Sequence, residues 1–71
     1  MTQMIPLQSS NIAAAGYDPL TAELRVAFVS GAVYAYANVS QDTYDGFLAA
    51  PSHGSYFASK IKRSHYYVKV T

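Results

Sequence analysis

The chain has 71 residues, enough for one domain spanning 1–71 and no second. Hydrophobic residues make up 51% of it and charged residues only 13%, which excludes a disordered, charge-solvated chain and leaves some apolar or tyrosine-rich area for the surface. There is no cysteine, so a disulfide scaffold and a thiolate zinc site are excluded, and the net charge of +1 conceals an asymmetry: residues 46–71 carry Lys60, Lys62, Arg63 and Lys69 but no acid.

Met1 to Leu7 has neither a basic region nor a long apolar run, so no signal peptide is expected there. No stretch has the length of a membrane span, and a cytoplasmic location is expected. Residues 1–8 read as a lead-in, because Pro6 is unsuited to a central strand. Ile12 to Tyr17 is alanine-rich and ambiguous by period. The turn chemistry of Tyr17-Asp18-Pro19 favours a short strand there.

Glu23 to Val29 alternates as a strand, Ser30-Gly31 reads as a two-residue hairpin turn, and Val33 to Ala37 returns. That loop length sets Val26 opposite Ala35 and Arg25 opposite Tyr36. Leu24, Val26, Phe28, Val33, Ala35 and Ala37 then form an apolar face, to be buried beneath the helices. Arg25, Ala27, Tyr34 and Tyr36 form the other face. A slip of one residue would exchange the two.

Ser40 is placed to cap a helix running to about Ala49, with Asp42 in its first turn. Tyr44, Phe47 and Leu48 make its apolar stripe. Pro51 ends it by biasing Ala50 away from helical geometry. Ser52 is placed to cap a second, shorter helix with Phe57 and Ile61 on one face and Lys60, Lys62 and Arg63 near its end. His65 to Val70 reads as a last strand, with Tyr66, Val68 and Val70 pointing one way and Tyr67 and Lys69 the other. The predicted order is β-β-β-α-α-β. The fold class is α+β: a small curved antiparallel sheet with two short helices on one face.

Tyr34 and Tyr36 lie two residues apart, so they share a strand face. Rings displayed in this way can stack nucleobases, with Arg25 contributing a phosphate contact; alternatively both rings pack under a helix. Ser52, Gly54 and Ser55 open a helix where backbone amides could take an anion; the alternative is ordinary capping. His53 beside these serines lacks an acid to orient its ring, and His53 with His65 is an incomplete metal set, so no catalytic residue, metal or cofactor is expected. Lys60, Lys62 and Arg63 are the candidate phosphate contacts, or else a solvated helix end.

Ser9-Ser10, Gly16-Tyr17-Asp18, Leu24-x-Val26-x-Phe28, Gly31, Tyr34-x-Tyr36, Val39, Ser52-x-Gly54-x-Tyr56-Phe57, Ile61 and Tyr66 occur in an order and spacing that resembles the KTSC domain family. The resemblance covers about residues 8–70. That family is found at the C-terminus of some lysyl-tRNA synthetases and as standalone small bacterial and phage proteins. The resemblance implies a non-enzymatic module whose partner is RNA or another nucleic acid. The same tyrosine-rich surface would also serve a protein-interaction or self-association module, or a small-nucleotide-binding protein. No membrane partner is expected.

Overall fold

The computed structural model describes residues 3–71. The expectation about the start of the chain rests partly on residues 1 and 2, which lie outside the described residues. Five strands, β1 (Ile5–Pro6), β2 (Ile12–Asp18), β3 (Glu23–Phe28), β4 (Val33–Tyr36) and β5 (Tyr67–Lys69), form one antiparallel sheet in sequence order. Between β4 and β5 the chain makes helix α1 (Gln41–Ala49) and helix α2 (His53–Tyr56). The latter runs directly into a wide π turn, Phe57–Ile61.

The fold class is as the sequence implies, with one strand more. The lead-in is not free of structure: Ile5 pairs with Ala15 and Pro6 with Ala14. The strand has two residues and lies at the sheet edge, where proline's missing N–H breaks no ladder. The last strand is shorter than expected, Tyr67–Lys69.

The hairpin register differs from the expected one, and the difference decides where the site lies. Leu24 pairs with Tyr36, Val26 with Tyr34 and Ala27 with Val33. The Gly31 amide donates to the Phe28 carbonyl at 2.9 Å, and the Phe28 amide to the Ala32 carbonyl at 2.9 Å. These bonds enclose a loop of Val29, Ser30 and Gly31, with Gly31 at φ +100°. Three-residue hairpin loops require a residue of positive φ at their end, and glycine meets that need without steric cost. One more loop residue than expected shifts the pairing by one position. Tyr34 and Tyr36 therefore join Leu24, Val26 and Phe28 on the helix-covered face, and Val33 and Ala35 join Arg25 and Ala27, which stay on the other. Ala35 is only 5% exposed. No helix covers it: its short side chain lies between its strand partners Arg25 and Val68.

A second irregularity resolves the ambiguous alanine segment. The β2–β3 register shifts between Ile12 and Ala14, leaving Ala13 as an extra residue. This bulge brings Ile12 onto the same face as Ala15, three positions on, and both are fully buried.

Ser40 Oγ accepts from the Thr43 amide and Ser52 Oγ from the Ser55 amide, so both predicted caps form. Tyr44 and Phe47 of α1 meet Phe57 and Ile61 of the following segment over Ile12, Leu24, Val26 and Tyr36, with Leu48 packed against that cluster. No helix among the described residues is long and apolar enough to cross a membrane.

Candidate functional site

The helical segment covers only part of the sheet. Where Phe57 and Ala58 stand away from β4, a cleft of about 610 Å³ remains. Its floor is aromatic. Tyr36 meets Phe57 edge-on at 5.2 Å between centroids, and Phe28 meets Phe57 at 5.7 Å. Tyr67 of β5 lies 5.5 Å from Tyr36 and 5.7 Å from Tyr34. The pairing of β5 with β4 produces this cluster, setting Tyr67 opposite Tyr36 and Lys69 opposite Tyr34.

The cleft's other wall is the helical segment, which contributes Gly54, Phe57, Ala58, Lys62 and Arg63. The Lys62 amide reaches back five residues to the Phe57 carbonyl at 2.9 Å. An i→i+5 turn is wider than an α turn. Lys62 and Arg63, four and five residues after Ala58, both end up lining the cleft with it. The rim is completed by Asn11 and the hairpin loop.

No acidic residue lines the cleft, so nothing inside it opposes an anion. Burial pushes the Tyr36 phenol up to about 12, with the nearby phenols of Tyr67 and Tyr34 adding to the shift. Tyr36 is 3% exposed and belongs to the core as much as to the cleft, whereas Tyr67 is 51% exposed. Tyr34 is half-buried between them.

Of the residues singled out from sequence, Tyr34, Tyr36, Lys62, Arg63 and Gly54 come together around this cleft. Arg25 does not. Its pairing with Ala35 puts it on the opposite face of the sheet, where its Nε donates to Glu23 Oε1 at 2.9 Å. Lys60 is exposed and outside the lining. Ser52 and Ser55 lie in a neighbouring polar groove, with Ser52 Oγ occupied by the capping bond. His53 Nδ1–H donates to the Phe47 carbonyl at 2.9 Å, and His65 Nδ1–H to the Ala37 carbonyl at 3.0 Å. The first ring ties the start of α2 to α1, and the second ties the segment before β5 to the one after β4.

Sequence reasoning missed Tyr67, Phe28, Phe57 and Asn11 as cleft residues. The alternation of the last strand already separated Tyr67 from Tyr66. What it lacked was β5's partner, since β4 lies about thirty residues earlier and no local signal pairs them.

These features define a small α+β domain with one sheet face divided between a hydrophobic core and an aromatic, basic cleft. The family model described as the KTSC domain matches residues 8–66. A protein of Tsukamurella paurometabola is 42% identical over 59 residues, covering 83% of this chain and 88% of its own length. An uncharacterised protein of Stutzerimonas stutzeri is 40% identical over 62 residues, covering 87% of each chain. The crystal structure of a KTSC domain protein from Yersinia pestis superposes with a TM-score of 0.94 at 32% identity, over the whole of both chains. The chain belongs to the KTSC domain family.

Proposed function

We propose that the protein is a non-enzymatic, cytoplasmic module that binds single-stranded RNA in the cleft. One observation carries this reading: the fold brings the exposed ring of Tyr67 and the half-buried ring of Tyr34 into one cavity with Lys62 and Arg63, with no acid among the lining residues. Exposed rings offer stacking faces that tolerate any base, and the cations answer the backbone phosphates. A duplex keeps its base faces inside its own stack, so the cleft favours an unpaired strand.

The test is equilibrium binding of a short single-stranded RNA at low and moderate salt. Tyr67→Ala is expected to weaken binding by about 1–3 kcal/mol, the loss of one stack. Lys62→Ala with Arg63→Ala should flatten the dependence of log affinity on log salt by about 1.4, the single-strand value for two phosphate contacts. Tyr36→Ala is a poor probe. Its ring is buried in the core, so the change should cost about 3–5 kcal/mol of stability. If the folded wild type binds no RNA at low salt, the reading fails. A dimer that forms without RNA and covers Tyr67 would make self-association the better account.

A further inference from the structure

The sheet has two edges, and only one of them is blunted. Strand β1 is two residues long and carries Pro6, which offers no N–H to a neighbour. Strand β5 has no proline, and among the described residues no strand pairs with its outer side. Its bonds to β4 show what that side presents. The Ala37 amide donates to the Tyr66 carbonyl at 2.8 Å, and the Val70 amide to the Val33 carbonyl at 2.7 Å. In an antiparallel ladder only every second residue bonds a given neighbour, so Tyr66, Val68 and Val70 turn their backbone groups to β4. Tyr67 and Lys69 turn theirs outward, each with an amide to donate and a carbonyl to accept.

The side chains along this edge are mostly apolar and exposed: Tyr66 is 75% exposed, Val68 47% and Val70 41%. Val68 lies opposite Ala35, so these three share the sheet face that no helix covers, while Tyr67 and Lys69 stand on the cleft face. The edge is also self-complementary. Antiparallel pairing about a two-fold axis at Val68 sets Tyr67 against Lys69 of the second copy, and Lys69 against its Tyr67. Each such pair exchanges both amide–carbonyl bonds, so every outward group on both strands is used. On the uncovered face Val68 meets Val68 of the second copy at the closest side-chain spacing a ladder has, and Tyr66 meets Val70. On the cleft face each Lys69 ammonium lies by a Tyr67 ring, which attracts it. Other two-fold registers are worse. An axis at Lys69 opposes two ammonium groups, and an axis at Tyr67 pairs Lys69 with His65, which is outside the strand.

We infer that the outer edge of β5 is a docking edge for a second copy of this chain, the two β5 strands pairing antiparallel about Val68 into one continuous sheet. The charge arrangement selects this occupant: a second copy brings a ring to each Lys69 and keeps the two lysines apart. The inference goes beyond the RNA reading and does not rest on it. The contact runs through backbone groups and leaves both clefts on one face of the joined sheet, so it is not a dimer that covers the Tyr67 rings. It also brings Lys69 of the second copy to the border of each cleft, beside Tyr67.

The test is sedimentation equilibrium without RNA, on wild type, Val68→Lys, Val68→Glu and an equimolar mixture of the two variants. Wild type should show a monomer–dimer equilibrium. Each variant alone sets like charges face to face on the two-fold axis and should weaken dimerisation by more than about tenfold. The mixture sets opposite charges there and should recover dimers to within a few-fold of wild type. Amide hydrogen exchange on wild type gives a second reading that needs no variant. Tyr67 and Lys69 should gain protection as concentration rises, whereas Val68, already bonded to β4, should not. A wild type that stays monomeric up to about 1 mM overturns the inference. So does a dimer in which the Tyr67 and Lys69 amides exchange as fast as in the monomer, and so does dimerisation that the single variants leave unchanged. None of these outcomes touches the RNA reading, which is tested with RNA present.

Discussion

Tyr36 stands on the border between core and cleft, and its hydroxyl makes that position measurable. Folding raises its pKa from 10.0 to about 12, chiefly through burial. The folded state therefore holds the proton more tightly than the unfolded chain does. Its contribution to stability is present in full below pH 10 and is lost as pH rises towards 12. Burial, and then the neighbouring Asp45, raises Tyr44 in the same direction. Denaturant unfolding at pH 9 and at pH 11.5 should show a larger alkaline loss for wild type than for Tyr36→Phe, which has no phenol to titrate. Equal losses would mean that Tyr36 is no more buried than a free tyrosine. Ala22 presents the opposite case, a residue under local strain. It sits at φ +58° in the β2–β3 loop, and its carbonyl accepts from the Val39 amide at 2.9 Å. The left-handed region costs an L-residue about 1–2 kcal/mol, more than glycine's extra freedom in the unfolded chain. Ala22→Gly should raise stability by up to about 1 kcal/mol in thermal unfolding, although it removes a methyl group.

At the scale of elements, the β3–β4 hairpin is the deciding piece. Its three-residue loop determines which faces Tyr34 and Tyr36 occupy, and Gly31 at φ +100° allows that loop. No atom would touch a Cβ added at Gly31. Gly31→Ala should still cost about 1–2 kcal/mol, a purely conformational penalty. A neutral result would mean that the loop relaxes to another turn type. Helix α1 offers the converse test, because Phe47 is fully buried at the centre of the core. Phe47→Ala should cost about 3–5 kcal/mol, which in so small a domain approaches the whole of its stability. A melting temperature no lower than that of an exposed alanine variant would place the helix the wrong way round. The two helices also approach closely: the ring of Tyr56 lies where a side chain at Gly46 would stand. That contact explains a glycine in the middle of a helix, where propensity alone disfavours it.

Over the whole molecule, charge and aromaticity converge by different routes. The cations of the last third were legible as a group, yet the fold uses them selectively. Lys62 and Arg63 line the cleft, Lys60 points elsewhere, and Lys69 arrives beside Tyr34 only through the β4–β5 pairing. The aromatic floor draws on β3, β4, the π turn and β5, so it exists only once the sheet and the helical segment have docked. If the cleft binds RNA as proposed, binding and folding should accordingly be lost together on denaturation, with no residual binding by the unfolded chain at moderate salt. Residual binding with an unchanged salt slope would point to charge alone.

The sequence by itself determined four of the five strands, the two capped helices, their order and most of the core, because these depend on local signals, whereas the two-residue edge strand at Ile5–Pro6 carries none. Alternation marks β3 and β4, Ser40 and Ser52 each sit at a capping position, and Pro51 separates the helices. The motif spacing also sufficed for the family. Only the tertiary structure decided the site. Turn length sets register, and a strand has a side-chain period of two, so one extra residue at Gly31 carried Tyr34 and Tyr36 inward and left Arg25 behind on the other face, paired with Ala35. The bulge at Ala13, the π turn before Lys62 and the pairing of Tyr67 with Tyr36 are likewise outcomes of packing between distant segments. Each changes a side chain's direction without changing the pattern of residue types, which is why no reading of the chain in one dimension contains them.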